Sequence, residues 1–121
     1  LVTGAPLRDA LALDDTILTL NVTPNRGDVL SVQGVAREVA AITARRMAPP
    51  ALEAVPAVTR EKFGVRLAVP AACPRFAGRV VQGVNPAART PLWMRERLRR
   101  AGIRPIRPVV DVTNYVMLEL G

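Results

Sequence analysis

The first half of the chain contains two hydrophobic patterns. Leu18, Leu20 and Val22 alternate with polar residues, which is the period of two expected for a half-buried β-strand. The segment TPNRGD at 23–28 combines proline, asparagine and glycine, and this composition predicts a turn. The strand is therefore expected to end before a change of direction.

From Ser31 onward the spacing of apolar residues becomes helical. Arg37 and Glu38 fall off the apolar face, as on the solvent side of an amphipathic helix. Ser31 is a residue type suited to cap the first turn. The predicted helix presents an apolar stripe made of Val32, Val35, Ala36, Val39 and Ile42.

The second half of the chain also contains segments with strand-like alternation and segments with helical spacing of apolar residues. Residues 65–69 alternate as a strand, and residues 76–84 are consistent with a second strand. Thr90 and Pro91 predict a helix start, and Gly102 predicts its end. The buried stripe of this helix is predicted to be Met94, Leu98 and Ala101.

A last helix is predicted to begin near Asp111, which is interpreted as its cap. Its apolar residues lie almost all round the helix, so it is expected to need cover on several sides. They are Val112, Val116, Met117, Leu118 and Leu120.

A proline-rich segment without a sustained period divides the chain. Residues 49–61 are predicted to be a linker between a strand–turn–helix segment at 1–48 and a second piece at 62–121. The predicted fold class is α+β, with mixed strands and short helices. No apolar run approaches the ~20 residues that a membrane span requires.

Charge is distributed unevenly. Residues 1–30 carry two arginines against four aspartates, whereas residues 61–121 carry eleven basic and four acidic groups. The second half is therefore the candidate for contact with a polyanion. Only Lys62 of the 17 basic residues is a lysine, which indicates either phosphate recognition by guanidinium groups or the codon usage of a GC-rich genome.

The chain lacks the residues that several kinds of catalytic and binding site require. The chain has no histidine and one cysteine, which leaves no imidazole base for a nucleophile and no ligand set for structural zinc. Cys73 is interpreted as a buried structural thiol, and a single cysteine fits a reducing cytosol. No glycine-rich phosphate loop occurs. Independent catalysis and cofactor or metal binding by this chain are therefore not expected.

The basic segment WMRERLRR has two interpretations. Arg95 and Arg99 are predicted on one solvent face, and Glu96 can pair with Arg100. The segment is either a solvated helix face or a contact with an RNA backbone. The few aromatic residues do not suggest platforms for base stacking.

Four motifs in this order resemble the bacterial phenylalanyl-tRNA synthetase beta-subunit family. They are TPNRGDVLSVQGVAREVAA, CPRFAGRVVQGV, PLWMRERLRRAGIRP and VVDVTNYVMLELG. The resemblance covers nearly the whole chain except the linker. It implies that 1–48 closes the module preceding the editing domain, and that 62–121 is the first part of that domain, with a partial editing-domain fold.

The resemblance also implies an activity for the intact cytoplasmic enzyme. A catalytic alpha subunit uses ATP and magnesium to attach phenylalanine to tRNA, and the editing domain of the beta subunit hydrolyses mischarged tyrosyl-tRNA. The implied partners are the alpha subunit, tRNA and the remainder of the beta subunit. The chain is expected to be a fragment that stops short of the family's editing histidine, and therefore to be inactive in isolation.

Within the chain, Arg104, Thr113 and Asn114 match positions that the family associates with its editing pocket. An arginine can hold a phosphate or a carbonyl, and an asparagine can orient water or an ester. Two alternatives stay open, namely that Arg104 forms a surface ion pair and that Asn114 caps the terminal helix. Two rival functions also remain: a stand-alone basic RNA-binding or trans-editing module, and a purely structural piece of a subunit interface.

Overall fold

The computed structural model describes residues 3–121, and its regular elements are helical. Two compact units divide the chain: one comprises the chain up to Pro49 together with Pro86–Gly121, and the other comprises Pro50–Asn85. All the regular elements belong to the first unit. They are α1 (Leu7–Ala10), a 3-10 turn (Gly27–Val29), α2 (Val32–Ile42), α3 (Leu92–Arg100) and α4 (Pro108–Leu120).

The predicted α+β class with mixed strands is wrong, because residues 3–121 contain no strand. Alternation specifies which side chains share a face, but a strand also needs a neighbour that accepts its backbone hydrogen bonds. The segments at 18–22, 65–69 and 76–84 find no such neighbour within the described chain. Their apolar side chains remain exposed accordingly, as at Leu18 and Val69.

Helix α2 confirms the helix that was predicted from Ser31 onward and the role of Ser31 as its cap. The Ser31 hydroxyl accepts a hydrogen bond from the Gly34 amide at 3.1 Å, which satisfies one of the free donors of the first turn. The apolar stripe is covered only in part, by contact between α2 and α4. Val32, Val39 and Ile42 stay exposed.

The turn predicted at TPNRGD packs directly on α2. A Cβ atom built at Gly34 would lie 2.1 Å from the Asp28 carbonyl oxygen and 2.8 Å from the Val29 Cα. Arg26 adds ionic contacts from the turn to Asp28 at 3.0 Å and to Glu38 of α2. These two carboxylates raise the pKa of the Arg26 guanidinium.

Helix α3 contains the buried apolar side chains of the described chain. Met94 and Leu98 are buried as predicted, with Leu98 fully inaccessible, whereas Ala101 is exposed just beyond the helix. Burying these two side chains against α4 contributes on the order of 1.5 to 3 kcal/mol each. Pro91 occupies the N-cap position and not the first helical position.

Helix α4 begins earlier than predicted, at Pro108 instead of near Asp111. Proline is favoured at a first helical position because it has no amide hydrogen to leave unpaired. Asp111 therefore lies inside the first turn and is not the cap residue. Val112, Val116 and Met117 remain about half exposed, so the cover expected on several sides is incomplete in the described structure.

The second unit, Pro50–Asn85, has no helix or strand. The Arg79 guanidinium donates a hydrogen bond to the Val55 carbonyl at 2.8 Å, and a turn links Val69 to Cys73. Cys73 is exposed, so the interpretation as a buried thiol is wrong. None of the helices in residues 3–121 is long and apolar enough to cross a membrane.

Candidate functional site

The connection that carries Arg104, residues 101–107, leaves α3 through a defined helix end. The Gly102 amide donates to the Arg99 carbonyl at 3.0 Å, and the Ile103 amide donates to the Leu98 carbonyl at 2.9 Å. Gly102 has φ +79°, a left-handed conformation that glycine adopts without a Cβ clash. The predicted role of Gly102 as the end of the helix is confirmed.

Asp111 holds the other end of this connection. Its carboxylate is 1% exposed, accepts a hydrogen bond from the Thr90 hydroxyl, and accepts the Ile106 amide at 2.7 Å. One buried carboxylate therefore joins three segments: the residue preceding α3, the end of the connection, and the first turn of α4. Such charge-assisted hydrogen bonds are stronger than neutral ones.

These contacts keep the Asp111 carboxylate ionised. Burial acts to raise its pKa, but hydrogen bonds from Thr90 and from the backbone at Ile106 and Arg107, with the positive charge of Arg95, outweigh this effect. The pKa of Asp111 is lowered in consequence. A negative charge in the first turn of α4 also interacts favourably with the helix dipole.

The structure separates the three residues predicted for the editing pocket into two places. Arg104 is exposed in the connection, and its side chain makes no hydrogen bond or ion pair within residues 3–121. The Thr113 hydroxyl donates to the Val110 carbonyl at 2.8 Å, and Asn114 is half-buried on α4. No hydrogen bond joins these three side chains in the described chain.

Neither alternative role of Arg104 or Asn114 is observed in the described chain. Arg104 has no carboxylate partner among residues 3–121, so the surface ion pair does not form there. Asn114 lies in the interior of α4, six residues after Pro108, so its interpretation as a helix cap is wrong.

An open cleft of about 300 Å³ lies beside the Asp111 carboxylate. It is bounded by α3 on one side and by residues 105–108 on the other. Its charged lining contains four arginines and two carboxylates: Arg89, Arg95, Arg99, Arg107, Glu96 and Asp111. The lining is therefore net positive, as expected from the charge of the second half.

The basic helix α3 forms the predicted ion pair between Glu96 and Arg100, at 3.8 Å, and Glu96 also contacts Arg99 at 2.8 Å. Arg100 in addition donates to Asp15 at 2.7 Å and to the carbonyls of Leu11 and Ala12. Arg100 therefore anchors residues 11–15 to α3.

An aromatic cluster joins α3 to α4. The rings of Trp93 and Tyr115 meet edge to face, with centroids 5.3 Å apart. Arg97 stacks near both rings, and its guanidinium donates a hydrogen bond to the Tyr115 hydroxyl at 2.7 Å. Such contacts fix the relative position of two helices in addition to burying area.

Comparison with known proteins gives two kinds of match. The B3/4 domain family matches residues 72–121, which contain α3, α4 and the connection between them. The phenylalanine–tRNA ligase beta subunits of Pectobacterium atrosepticum, Nitrosococcus oceani and Bordetella pertussis are each 54% identical over 118 residues, or 98% of this chain. The chain is similar over nearly its whole length to a segment of these beta subunits. The resemblance seen in its sequence is confirmed.

The match covers a limited part of each relative. The chain spans 15% of the length of the beta subunits it matches. Within it, the B3/4 match includes Arg104, Thr113 and Asn114 as well as the Asp111 carboxylate and most of its partners. The candidate residues of this chain therefore lie in the part that matches the B3/4 domain family.

Sequence reasoning missed the two contacts that organise the site. The Thr90–Asp111 hydrogen bond joins residues 21 positions apart, and no local spacing rule reports such a pair. The available signal was Pro108, because a proline at a helix start places Asp111 within the first turn. The Trp93–Tyr115 contact was missed because the aromatic residues were considered only for base stacking.

Proposed function

We propose that this chain is a segment of the beta subunit of a phenylalanine–tRNA ligase. With an alpha subunit, the intact cytoplasmic enzyme attaches phenylalanine to tRNA using ATP, and its editing domain hydrolyses mischarged tyrosyl-tRNA. The observation that carries this proposal is 54% identity over 98% of the chain. The B3/4 match at residues 72–121 supports residues 62–121 as part of the editing domain, with residues 49–61 as a linker from the preceding segment at 1–48.

The proposed enzyme needs an editing site, separate from its synthetic site, for a physical reason. An apolar pocket shaped for phenylalanine rejects an isostere with an added hydroxyl only weakly. A second pocket that hydrogen-bonds the phenol reverses this preference, because phenylalanine leaves the pocket's polar groups unpaired. Water then attacks the ester carbonyl, and positioned donors stabilise the negative charge that develops on the oxygen.

In this proposal Arg104 and Asn114 orient the aminoacyl ester, and Thr113 supports the same turn of α4. The guanidinium of Arg104 is exposed and has no partner in the described part of the chain, so it is available to a phosphate or a carbonyl oxygen. Asp111 and Gly102 hold the connection from which Arg104 projects. The segment contributes positioned donors, while the remainder of the beta subunit supplies phenol recognition.

In this proposal, ATP and magnesium are bound by the alpha subunit and not by this segment. Residues 3–121 contain no group of three or more side chains from His, Cys, Asp and Glu that could hold a metal ion. No glycine-rich phosphate loop occurs in the sequence. When bound to the alpha subunit, ATP with magnesium would supply the activation of phenylalanine.

Arg104→Ala and Asn114→Ala are expected to weaken editing in the intact enzyme and to spare phenylalanine charging. Loss of one donor to a developing oxyanion lowers the rate about 100- to 1,000-fold, and a residue that only orients substrate contributes less, so a loss of at least about tenfold is expected. The measurement compares tyrosyl-tRNA hydrolysis with phenylalanine charging on the same preparations. Arg37→Ala removes an exposed arginine from α2 and is the matched control.

The outcomes separate the proposal from its structural rival. Loss of hydrolysis with intact charging supports an editing role for Arg104 and Asn114. Equal losses in both reactions would instead indicate misassembly and a structural role. Unchanged hydrolysis would remove both residues from the site.

A further inference from the structure

We infer that the cleft between α3 and residues 105–108 binds a backbone phosphate of RNA through Arg89, Arg95 and Arg107. This arginine cleft, defined by these three side chains, differs from the proposed editing residues Arg104, Thr113 and Asn114. The inference rests on the proposed function only in the choice of tRNA as the probe.

The first observation is that both carboxylates of the cleft already accept hydrogen bonds from within the chain. Both oxygens of the Asp111 carboxylate accept internal hydrogen bonds, from the Thr90 hydroxyl and the Ile106 amide. Glu96 is held by Arg99, with two contacts to its guanidinium at 3.2 and 2.8 Å. Arg89, Arg95 and Arg107 donate none of these hydrogen bonds.

The second observation is that the four arginines of the cleft outnumber its two carboxylates, and three of these arginines form no direct ion pair in the described part of the chain. Arg89, Arg95 and Arg107 are exposed at the cleft, and their side chains form no hydrogen bond or ion pair within residues 3–121. Like charges sharing one cleft repel each other, and an incoming anion relieves that repulsion. The charge pattern therefore selects a negatively charged ligand.

The third observation concerns the shape of the donors. A guanidinium presents a planar fork that matches two oxygens of one phosphate, and all the basic groups of this cleft are arginines. The cleft is open and about 300 Å³ in volume, which suits one phosphate group that remains connected to a chain on both sides. An exposed phosphodiester fits these features better than an enclosed small molecule.

The fourth observation is that the cleft is built on a fixed frame. Arg95 lies on α3, Arg107 is the residue preceding α4, and Arg89 precedes Thr90. Because Asp111 ties Thr90 to the end of the connection, it holds the segments of all three arginines together. A preformed site loses less conformational freedom when the ligand binds.

The test measures tRNA binding by the intact alpha–beta synthetase over a range of salt concentrations. Each phosphate contact contributes about 0.7 to 0.9 to the slope of log K against log salt. Because the cleft is proposed to bind one phosphate, Arg89→Gln/Arg95→Gln is expected to reduce the slope by about that amount, and Arg95→Gln alone by part of it. Between about 50 and 200 mM salt, the affinity ratio of wild type to the double variant should shrink about threefold.

Arg37→Gln on α2 is the matched control, because it removes the same charge from an exposed arginine outside the cleft. A reduced slope in the cleft variants with an unchanged slope in Arg37→Gln supports the inference. Equal reductions in all variants would show a general charge effect and overturn it, and so would unchanged slopes. Since the editing assay uses other residues and another readout, failure of this inference is distinguishable from failure of the proposed function.

Discussion

Gly34 illustrates how one missing side chain positions two elements. It lies in the first turns of α2, where glycine lowers helix stability by roughly 1 kcal/mol relative to alanine. Its surroundings explain why glycine is nevertheless suitable. The Asp28 carbonyl and the Val29 backbone occupy the space that a Cβ atom would fill. The close approach of the 3-10 turn to α2 therefore requires glycine at this position.

Gly34→Ala is expected to destabilise α2 even though alanine is the better helix former. A Cβ atom 2.1 Å from a backbone oxygen forces the turn away from the helix. We expect a net loss of about 2 kcal/mol or more, because overpacking typically outweighs a helix-propensity gain of about 1 kcal/mol. Hydrogen exchange of the α2 amides, measured in the intact protein, should then be roughly 30-fold faster.

Gly27→Ala is the control for this experiment, because a Cβ atom at Gly27 meets no atom within 4 Å. It should leave the exchange of α2 nearly unchanged. Equal acceleration in both variants would show that the contact between Asp28 and Gly34 is not what limits this packing.

Three kinds of contact hold helices α3 and α4 together. Met94 and Leu98 supply the buried apolar surface, and the Trp93–Tyr115 pair adds an oriented contact. Asp111 adds the hydrogen bonds that hold the connection between the helices. This connection carries Arg104, so its order affects the candidate site directly.

Asp111→Ala is expected to loosen the connection by about 1 to 3 kcal/mol, because it leaves the Thr90 hydroxyl and the Ile106 amide without their buried acceptor. Hydrogen exchange at residues 101–107 should accelerate accordingly. Asp111→Asn retains one acceptor oxygen and should restore part of the protection. Asp14→Ala is the control, because Asp14 is exposed and, among residues 3–121, pairs only with Arg8 at the surface. Unchanged exchange in Asp111→Ala would contradict the assigned role.

The whole molecule combines a strongly basic composition with a few engaged carboxylates. Hydrogen bonds from Arg100 lower the pKa of Asp15, those from Arg26 lower that of Asp28, and those from Arg99 lower that of Glu96. The pKa of Asp111 is lowered despite its burial. With no histidine in the sequence, no side chain of the chain has an ordinary pKa between about 5 and 8.

The packing of the segment is therefore expected to be insensitive to pH between about 5 and 8 and to weaken below about pH 4. A carboxyl with a lowered folded-state pKa stabilises the fold above its unfolded-state pKa. That contribution disappears as the pH falls through the folded-state value. Hydrogen exchange of α3 and α4 as a function of pH, corrected for the intrinsic exchange rate, measures this dependence.

Salt provides the control for the acid response. Asp15, Asp28 and Glu96 form partly exposed ion pairs, which high salt screens, whereas the buried contacts of Asp111 are screened much less. The acid-induced loosening of residues 101–107 should therefore persist in high salt. Its disappearance there would mean that surface pairs, and not Asp111, control the connection.

Local rules were sufficient to predict that α2, α3 and α4 exist, but not the short α1 or the start of α4 at Pro108. Ser31 caps α2 because its hydroxyl reaches an amide three residues away, and Gly102 ends α3 because it can adopt a positive φ. The stripe residues Met94 and Leu98 recur at the helical period and are buried as expected. The resemblance to the beta-subunit family was also readable from the chain alone, since four motifs retain their order. All these features depend on residues close in sequence.

Contacts between distant residues were not readable in this way. The segments with strand-like alternation contain no strand, because pairing depends on a neighbour that alternation does not specify. The burial of Asp111 against Thr90 and the anchoring of residues 11–15 by Arg100 bring together positions 21 to 89 residues apart. Which arginines remain unpaired at the cleft depends on these same contacts, because the folded chain determines which carboxylates are already engaged.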